Sequence, residues 1–491
     1  MSFLRGEIIL KQLAYYAQLS DAFKNIVQNG EVDARKLGPL GKTLFEEGFE
    51  EESNQCFKLA VRCMESFIAQ GRIDKALVLE GALYNSFVKV LEKEEHYYQC
   101  FSHWSGLLQD AAKKQELPAL KPGQPNRLCF VLQVGVLLGH TEVMLQVIDQ
   151  WQKDNQDVEI YVAALSHLDP EFPPLIESRH IPFIHFCDES NKCSVSPVAA
   201  IHMLREKLQQ LEIGTAIWVS APTQASYALA LPMAPQQVMW SLKFHPVFVK
   251  EAQHHICGGN ADESIRTYNG EDWEVCPFPL TVALKENAVT DIEDIRKKFP
   301  PESVILGTLA REEKYNSYGY LSALCSIMSN NPHCHFVWTG RKQPPRILEA
   351  FKAYGIEDRC HFVGWVDSNL YADAIDIFLE TFPFGCGVTG FQAMGHATPL
   401  VSYKANDTLY GYQLEGARDA SASNGKLSRA AAEKLPILSA VDMAHYIKLV
   451  QRLIDDKSYR QNIGQREKEY YETERARVSE YARRFLETSL A

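Results

Sequence analysis

The sequence predicts an all-helical segment followed by two α/β halves, each a doubly wound parallel sheet with helices on both faces. Three observations carry this reading. Residues 1 to about 115 repeat their apolar side chains at spacings of three and four, the helical period. From Leu128 onward, short continuous apolar runs alternate with amphipathic stretches, as in strands buried on both faces and joined by helices. That alternation restarts near residue 303, giving two units of similar length.

In chain order, Leu40, Leu44 and Phe45, then Cys56, Phe57, Ala60 and Val61, mark helical faces. Leu44-Phe45-Glu46-Glu47-Gly48 ahead of Gln55-Cys56-Phe57 reads as a helical hairpin. Gln99-Cys100-Phe101 echoes the second triplet 44 residues later, which leaves stacked hairpins of the tetratricopeptide kind open beside an ordinary bundle. Lys121-Pro122-Gly123-Gln124-Pro125-Asn126 is a linker by composition. The first α/β half has strands at 128–136, 159–164, 182–186, 216–220 and 238–240, with helices over 141–152 and 197–211. The second has strands at 303–309, 334–339, 361–364, 377–381 and 399–403, with helices over 317–329, 345–354, 442–456 and 467–489. The halves join near 277–280. The expected domains are 1–120, 121–280 and 281–465, closed by a helix over 466–491.

The chain has 491 residues, 46% of them hydrophobic, enough for several cores. A net charge of -12 argues against nucleic acid as the main partner. The 12 cysteines form no CxxC pair and no zinc-like spacing with histidine, so they read as free thiols of a reducing compartment. No metal and no cofactor is expected. The N-terminus lacks a basic stretch ahead of an apolar core, and the longest apolar run, 128–138, is too short to span a bilayer. The expectation is a cytoplasmic chain without a transmembrane segment.

Four constellations carry chemistry. In Phe384-Gly385-Cys386-Gly387-Val388-Thr389-Gly390 a buried strand meets a helix through glycines. Gly385 and Gly387 let the backbone approach an anion, and the N–H groups of the helix start attract it. Thr389 can cap that helix and donate to a phosphate oxygen. Arg311-Glu312-Glu313-Lys314 follows another strand of the same half. Its two cations can neutralise a departing diphosphate, or simply pair with Glu312 and Glu313. His140, after Gly135-Val136-Leu137-Leu138-Gly139, stands at a helix start in the first half. The positive helix end favours the neutral imidazole, suited to a general base or to ligand binding. Trp338-Thr339-Gly340-Arg341-Lys342 and Gly364-Trp365-Val366-Asp367 follow two further strands. The second can read a nucleobase edge, with Trp365 on the base or in the core.

At these residues the chain resembles the GT-B glycosyltransferases. It is most similar to family 41, which includes the O-linked N-acetylglucosamine transferases and the bacterial cytoplasmic N-glycosyltransferases. The resemblance covers roughly residues 126–460 and is best over 376–402, 355–365 and 234–240. It implies two facing Rossmann-like domains behind N-terminal helices, a uridine-diphosphate sugar as donor substrate, inversion at the anomeric carbon and no metal. It further implies that Lys314 contacts the donor diphosphate, with Arg311 a second candidate. Thr389 and Gly390 match the phosphate-binding turn, and His140 matches a histidine near the reacting groups. The backbone of Trp365, Val366 and Asp367 falls where the family holds uracil. Helices ahead of the catalytic halves favour a protein or peptide acceptor. The chain departs from the family at Gln392, where an acidic residue is common, and at Gly387-Val388, where O-linked transferases show His-Thr. Glu380 precedes the turn, and no Glu follows at the spacing of retaining GT-B enzymes. The alternatives are a nucleotide-sugar epimerase on the same fold and an inactive transferase-like scaffold.

Overall fold

A computed structural model describes residues 36–46, 50–87, 94–154, 156–191, 193–220, 223–242, 247–258, 264–268, 270–277, 289–315, 318–382, 385, 388–403, 437–440 and 442–491. They divide into two compact units. One comprises Met1–Leu117, Ser196–Ala199 and Pro222–Leu231; the other comprises Pro118–Val195, Ala200–Ala221 and Pro232–Ala491. Both α/β halves therefore lie in the second unit.

The first unit is helical: Leu37–Glu46, Glu50–Ala69, Ile73–Phe87 and Glu94–Lys113. Its core is the set of residues at helical spacing, including Cys56, Phe57, Ala60, Phe101 and Trp104, the last two with ring centroids 4.0 Å apart. Segments 196–199 and 222–231 join it through polar anchors. Asp74 accepts the Val198 N–H at 2.8 Å, Glu80 accepts the Gln224 N–H at 2.7 Å, and the Ser105 and Ser226 hydroxyls meet at 2.8 Å.

In the second unit the strands are β1 (Gln124–Leu132), β2 (Glu159–Ala164), β3 (Phe183–His185), β4 (Ile213–Val219), β5 (Gln236–Ser241), β6 (His254–Cys257), β7 (Ile265–Tyr268), β8 (Glu271–Val275), β9 (Val304–Thr308), β10 (Cys334–Trp338), β11 (Cys360–Phe362), β12 (Ile377–Leu379), β13 (Leu400–Tyr403) and β14 (Leu438–Ala440). The first sheet runs β3-β2-β1-β4-β5-β6-β8-β7, and the second β11-β10-β9-β12-β13-β14. All pairings are parallel except β7 with β8. Each half thus places its first strand beside its fourth. That reversal of winding opens a crevice at the strand carboxyl ends, between β1 and β4 and between β9 and β12. The apolar runs behave as doubly buried strands must: every residue of β4 and of β9 is buried.

Several boundaries differ from expectation. β1 starts at Gln124, inside the segment 121–126 expected as a linker, and ends at Leu132, four residues short, because its last apolar stretch leaves the sheet as a loop. Strands β6, β7, β8 and β14 lie outside the expected set; β6 opens on two His, β7 holds Arg and Thr, and β8 holds two Glu and an Asp, so none of these three shows a continuous apolar run. The single helix expected over 467–489 is two, Lys457–Ala476 and Val478–Leu490. The second of these packs on the first half. The Trp151 indole N–H donates to the Ala482 carbonyl at 2.7 Å, and the Phe485 ring lies 4.2 Å from Trp240 and 5.8 Å from Trp151. The junction expected at 277–280 lies mostly outside the described residues.

Helix Lys457–Ala476 packs behind helix Val388–Gly395 of the second half. A Cβ at Gly464 would stand 1.9 Å from the Ala397 carbonyl oxygen and 2.9 Å from its carbon. Backbone cannot yield as a side chain does, so Gly464→Ala is expected to cost about 3 kcal/mol, read as a lower urea midpoint. An unchanged midpoint would show that the helix shifts freely.

Candidate active site

The second crevice lies between β9 and β12. β9 and β12 are neighbours, with Phe378 in register with Gly307. Gly307 has no room for a side chain, since a Cβ would lie 2.7 Å from Ile375. β9 leads into Leu309, Ala310, exposed Arg311 and the short helix Glu312–Tyr315. β12 leads through buried Glu380 and Thr381 to Gly385 and the helix Val388–Gly395. The two loops are tied together twice. The Lys314 ammonium donates to the Gly385 carbonyl, and the Thr389 hydroxyl donates to the Leu309 carbonyl at 2.7 Å.

These bonds bring together the cationic loop and the glycine turn that the sequence singled out. They also correct a detail. The helix starts at Val388, so Thr389 lies inside its first turn, and its hydroxyl proton goes to Leu309 rather than to a cap or a ligand. Gly390 is buried in the same turn, against the positive end of the helix dipole. Gly387 lies outside the described residues.

The β10 loop closes on the same edge. The Tyr315 hydroxyl donates to the Thr308 carbonyl at 2.5 Å and accepts the Thr339 N–H at 3.1 Å. Thr339 Oγ1 lies 2.8 Å from both Ala310 N and Ala310 O. Glu312, buried, accepts the Arg341 N–H at 3.0 Å. Burial pushes its carboxyl up, but Arg341 N–H, the loop's own amide and the charges of Lys342 and Arg341 outweigh this and hold it below the usual carboxylate range. Glu312 is therefore an anchor between loops. The sequence offers Glu312 only as a partner for Arg311 or Lys314 and Thr339 only as part of a loop, and it gives Tyr315 no role: Tyr315 closes a polar run, and nothing in that run marks it as buried.

Beyond β11, Gly364 has a φ of +76° and its carbonyl accepts the Gly340 N–H at 3.2 Å. That turn displays Trp365, 64% exposed, with the Arg341 guanidinium carbon 5.4 Å from its ring centroid. Trp365 is thus not a core residue. Val366 is half-buried, and the Asp367 carboxylate caps helix Ser368–Ala374 by accepting the Asn369 N–H at 3.0 Å. Gln392 is 6% exposed in the turn helix, and its Oε1 has no hydrogen-bond partner among the described residues.

His140 sits elsewhere, half-buried as the second residue of helix Gly139–Lys153, after β1 in the first half. The Thr141 hydroxyl closes that helix start on the Val136 carbonyl at 2.7 Å. Burial raises the neighbouring Glu142 carboxyl. Among the described residues no group of three or more His, Cys, Asp or Glu side chains could hold a metal ion, and no helix is long and apolar enough to cross a membrane.

Chemically, the second crevice offers Arg311 and Lys314 after β9, Arg341 and Lys342 after β10, and a helix N-terminus after β12. Cations and N–H groups in such an arrangement can hold an anion larger than one carboxylate.

Residues 300–431 match the family model described as glycosyl transferases group 1. No curated protein matches the chain by sequence. Anabaena HepE, solved in complex with UDP and glucose, is similar in fold at 15% identity and a TM-score of 0.55, over 74% of this chain and 98% of its own. A mutant Thermobaculum terrenum O-GlcNAc transferase is similar at 14% identity and a TM-score of 0.54, over 93% of this chain and 91% of its own. WaaG, a glycosyltransferase involved in lipopolysaccharide biosynthesis, is similar at 10% identity and a TM-score of 0.50, over 73% and 99%. The group 1 match falls on the half that carries the glycine turn and Lys314, and the chain is a glycosyltransferase of GT-B fold.

Proposed function

We propose that the chain transfers a hexose from a uridine-diphosphate sugar to a protein or peptide acceptor in the cytoplasm, inverting the anomeric carbon without a metal. The observation that carries this reading is the pair of bonds, Lys314 to Gly385 and Thr389 to Leu309, that sets a cation and a helix start around the crevice between β9 and β12. The donor occupies the half at 281–465. Lys314, with Arg311 and the N–H groups of Gly385, Gly387, Thr389 and Gly390, takes the diphosphate. The backbone of Trp365, Val366 and Asp367 takes the uracil. UDP in HepE supports the choice of nucleotide. The helices ahead of the two α/β halves are the feature that favours a protein or peptide acceptor.

In this reaction the acceptor nucleophile attacks the anomeric carbon from the face opposite the nucleotide. Its proton passes to His140 as the bond to the diphosphate oxygen breaks. Lys314 and the turn amides then meet charge that develops only on departure, so they lower the barrier rather than merely bind.

The test is a panel of nucleotide sugars read by thermal shift and then by transfer to peptides. Uridine-linked sugars are expected to protect the protein, and purine-linked ones are not. Protection by a guanosine-linked sugar alone, or conversion of the donor to its epimer without any acceptor, would overturn the proposal. His140→Ala is expected to lower kcat about 10²–10⁴-fold while leaving protection by the donor intact; a full rate in that variant would remove His140 as the base.

A further inference from the structure

The carboxyl edge of the first sheet carries two thiols that the reaction does not use. After β3 the chain turns back so that Cys187 and Cys193 are partners in an isolated antiparallel bridge. Such partners hold their Cα atoms about 4.5–5.5 Å apart, inside the window of about 4.4–6.8 Å that a disulfide needs. Both are free and half-buried. The Cys187 thiol donates to the Ser166 carbonyl at 2.8 Å, and Cys193 lies within hydrogen-bonding reach of it. Burial, then Cys193 and Asp188, push the Cys187 thiol up to about 11. Cys187 therefore stays protonated on Ser166, while the Cys193 thiol donates to the Val195 carbonyl at 3.6 Å.

What the pair touches leads toward the loop that carries His140. The Asn191 carbonyl, inside the turn, accepts the Leu168 N–H at 3.2 Å. Leu168 bridges Gly135, whose N–H donates to the His167 carbonyl at 2.9 Å and whose carbonyl accepts the Asp169 N–H at 2.8 Å. A Cβ at Gly135 would stand 2.4 Å from the Leu168 side chain, so that side chain packs directly on the Gly135 backbone. The Ser166 hydroxyl donates to the Gln133 carbonyl at 2.6 Å. Residues 133–138 then run directly into helix Gly139–Lys153.

We propose that Cys187 and Cys193 form a reversible redox site, oxidised by a low-molecular-weight disulfide to a loop-closing disulfide that resets the loop at 133–140. In the first step the Cys193 thiolate attacks the small disulfide, forming a mixed disulfide and releasing one small thiol. Cys187, losing its proton to solvent, then attacks the Cys193 sulfur and releases the second. Two protein thiols are oxidised and one small disulfide is reduced to two thiols. Oxidation withdraws the S–H from the Ser166 carbonyl and fixes Asn191 against Leu168. The effect on catalysis rests on the role proposed for His140; the disulfide itself does not.

The test uses the full-length reduced protein in glutathione redox buffers, trapped by alkylation and digested with trypsin. Cleavage after Lys192, which lies between the two cysteines, turns the disulfide into a cross-link between peptides 180–192 and 193–205. The expected result is that cross-linked pair, reversed by dithiothreitol and absent in Cys187→Ser and in Cys193→Ser. Hydrogen exchange is expected to slow at the Leu168 amide and change across 133–140, and the acceptor KM to shift several-fold with uridine-diphosphate protection unchanged. Glutathione adducts without any cross-link would overturn the site. A cross-link that leaves exchange at 133–140 unmoved would overturn the coupling. If the chain used another donor, the cross-link and the exchange pattern would still appear, so the two proposals fail separately.

Discussion

Replacing Lys314 by alanine is expected to lower kcat for sugar transfer by about 10²–10³-fold, the scale of losing one charge-stabilising donor. The side chain is half-buried, and one of its three N–H bonds is committed to the Gly385 carbonyl. That bond holds the ammonium at the glycine turn, so a diphosphate bound as proposed would meet a cation already in place. The same bond ties the β9 loop to the turn, and a structural explanation must be kept apart from an electrostatic one. Lys314→Arg keeps the charge but replaces a compact ammonium with a planar fork. It is expected to recover thermal stability and uridine-diphosphate protection while recovering only part of kcat. If Lys314 served only to fasten the loops, restoring stability would restore rate. An alanine variant within about threefold of the native kcat would end its assignment to the diphosphate.

The parts of the fold legible in the sequence are those in which one physical demand dominates. A strand buried on both faces has to be apolar throughout, so Glu159–Ala164 was read to the residue and β4 and β9 to within a few. The edge strand β7 and its neighbour β8 face no such demand, and the Arg of β7 and the Glu and Asp residues of β8 look like loop. The extent of β1 was misjudged because apolar side chains at Val136 and Leu138 serve a loop and a helix start. The candidate site divides similarly. Glycines and cations after strand ends are visible locally, and sheet order brings them together, with β9 beside β12. That Glu312 anchors Arg341, or that Tyr315 fastens Thr308 to Thr339, depends on side chains meeting across loops about 25–30 residues apart. No spacing rule announces such contacts.

Stability of the helical unit is expected to fall as pH rises from about 4.5 to about 8, and Glu80→Gln is expected to abolish that fall. Glu80 is 1% exposed. One carboxyl oxygen accepts the Gln224 N–H at 2.7 Å, and the other has no hydrogen-bond partner among the described residues. Burial pushes the carboxyl from 4.5 up to about 8, against the opposing pull of the Gln224 N–H. The folded value lies above the unfolded one. Between the two, the folded state keeps a proton that the unfolded chain has lost, and each pH unit upward weakens folding by up to about 1.4 kcal/mol. Above pH 8 both states are ionised and the loss levels off. Glutamine keeps the acceptor for Gln224 and never ionises, so it should be more stable than the native chain at pH 8.5 and similar to it at pH 5. Urea midpoints at the two pH values decide this, and parallel curves for Glu80→Gln and the native chain would mean that the carboxyl reaches water. Glu80→Ala separates charge from hydrogen bonding. It leaves the N–H of Gln224, a non-glycine held at φ +65°, without its acceptor, so it should lose about 1–3 kcal/mol at pH 5 as well. The carboxyl therefore has opposite effects, fastening the segment at 222–231 while neutral and straining the same unit once ionised.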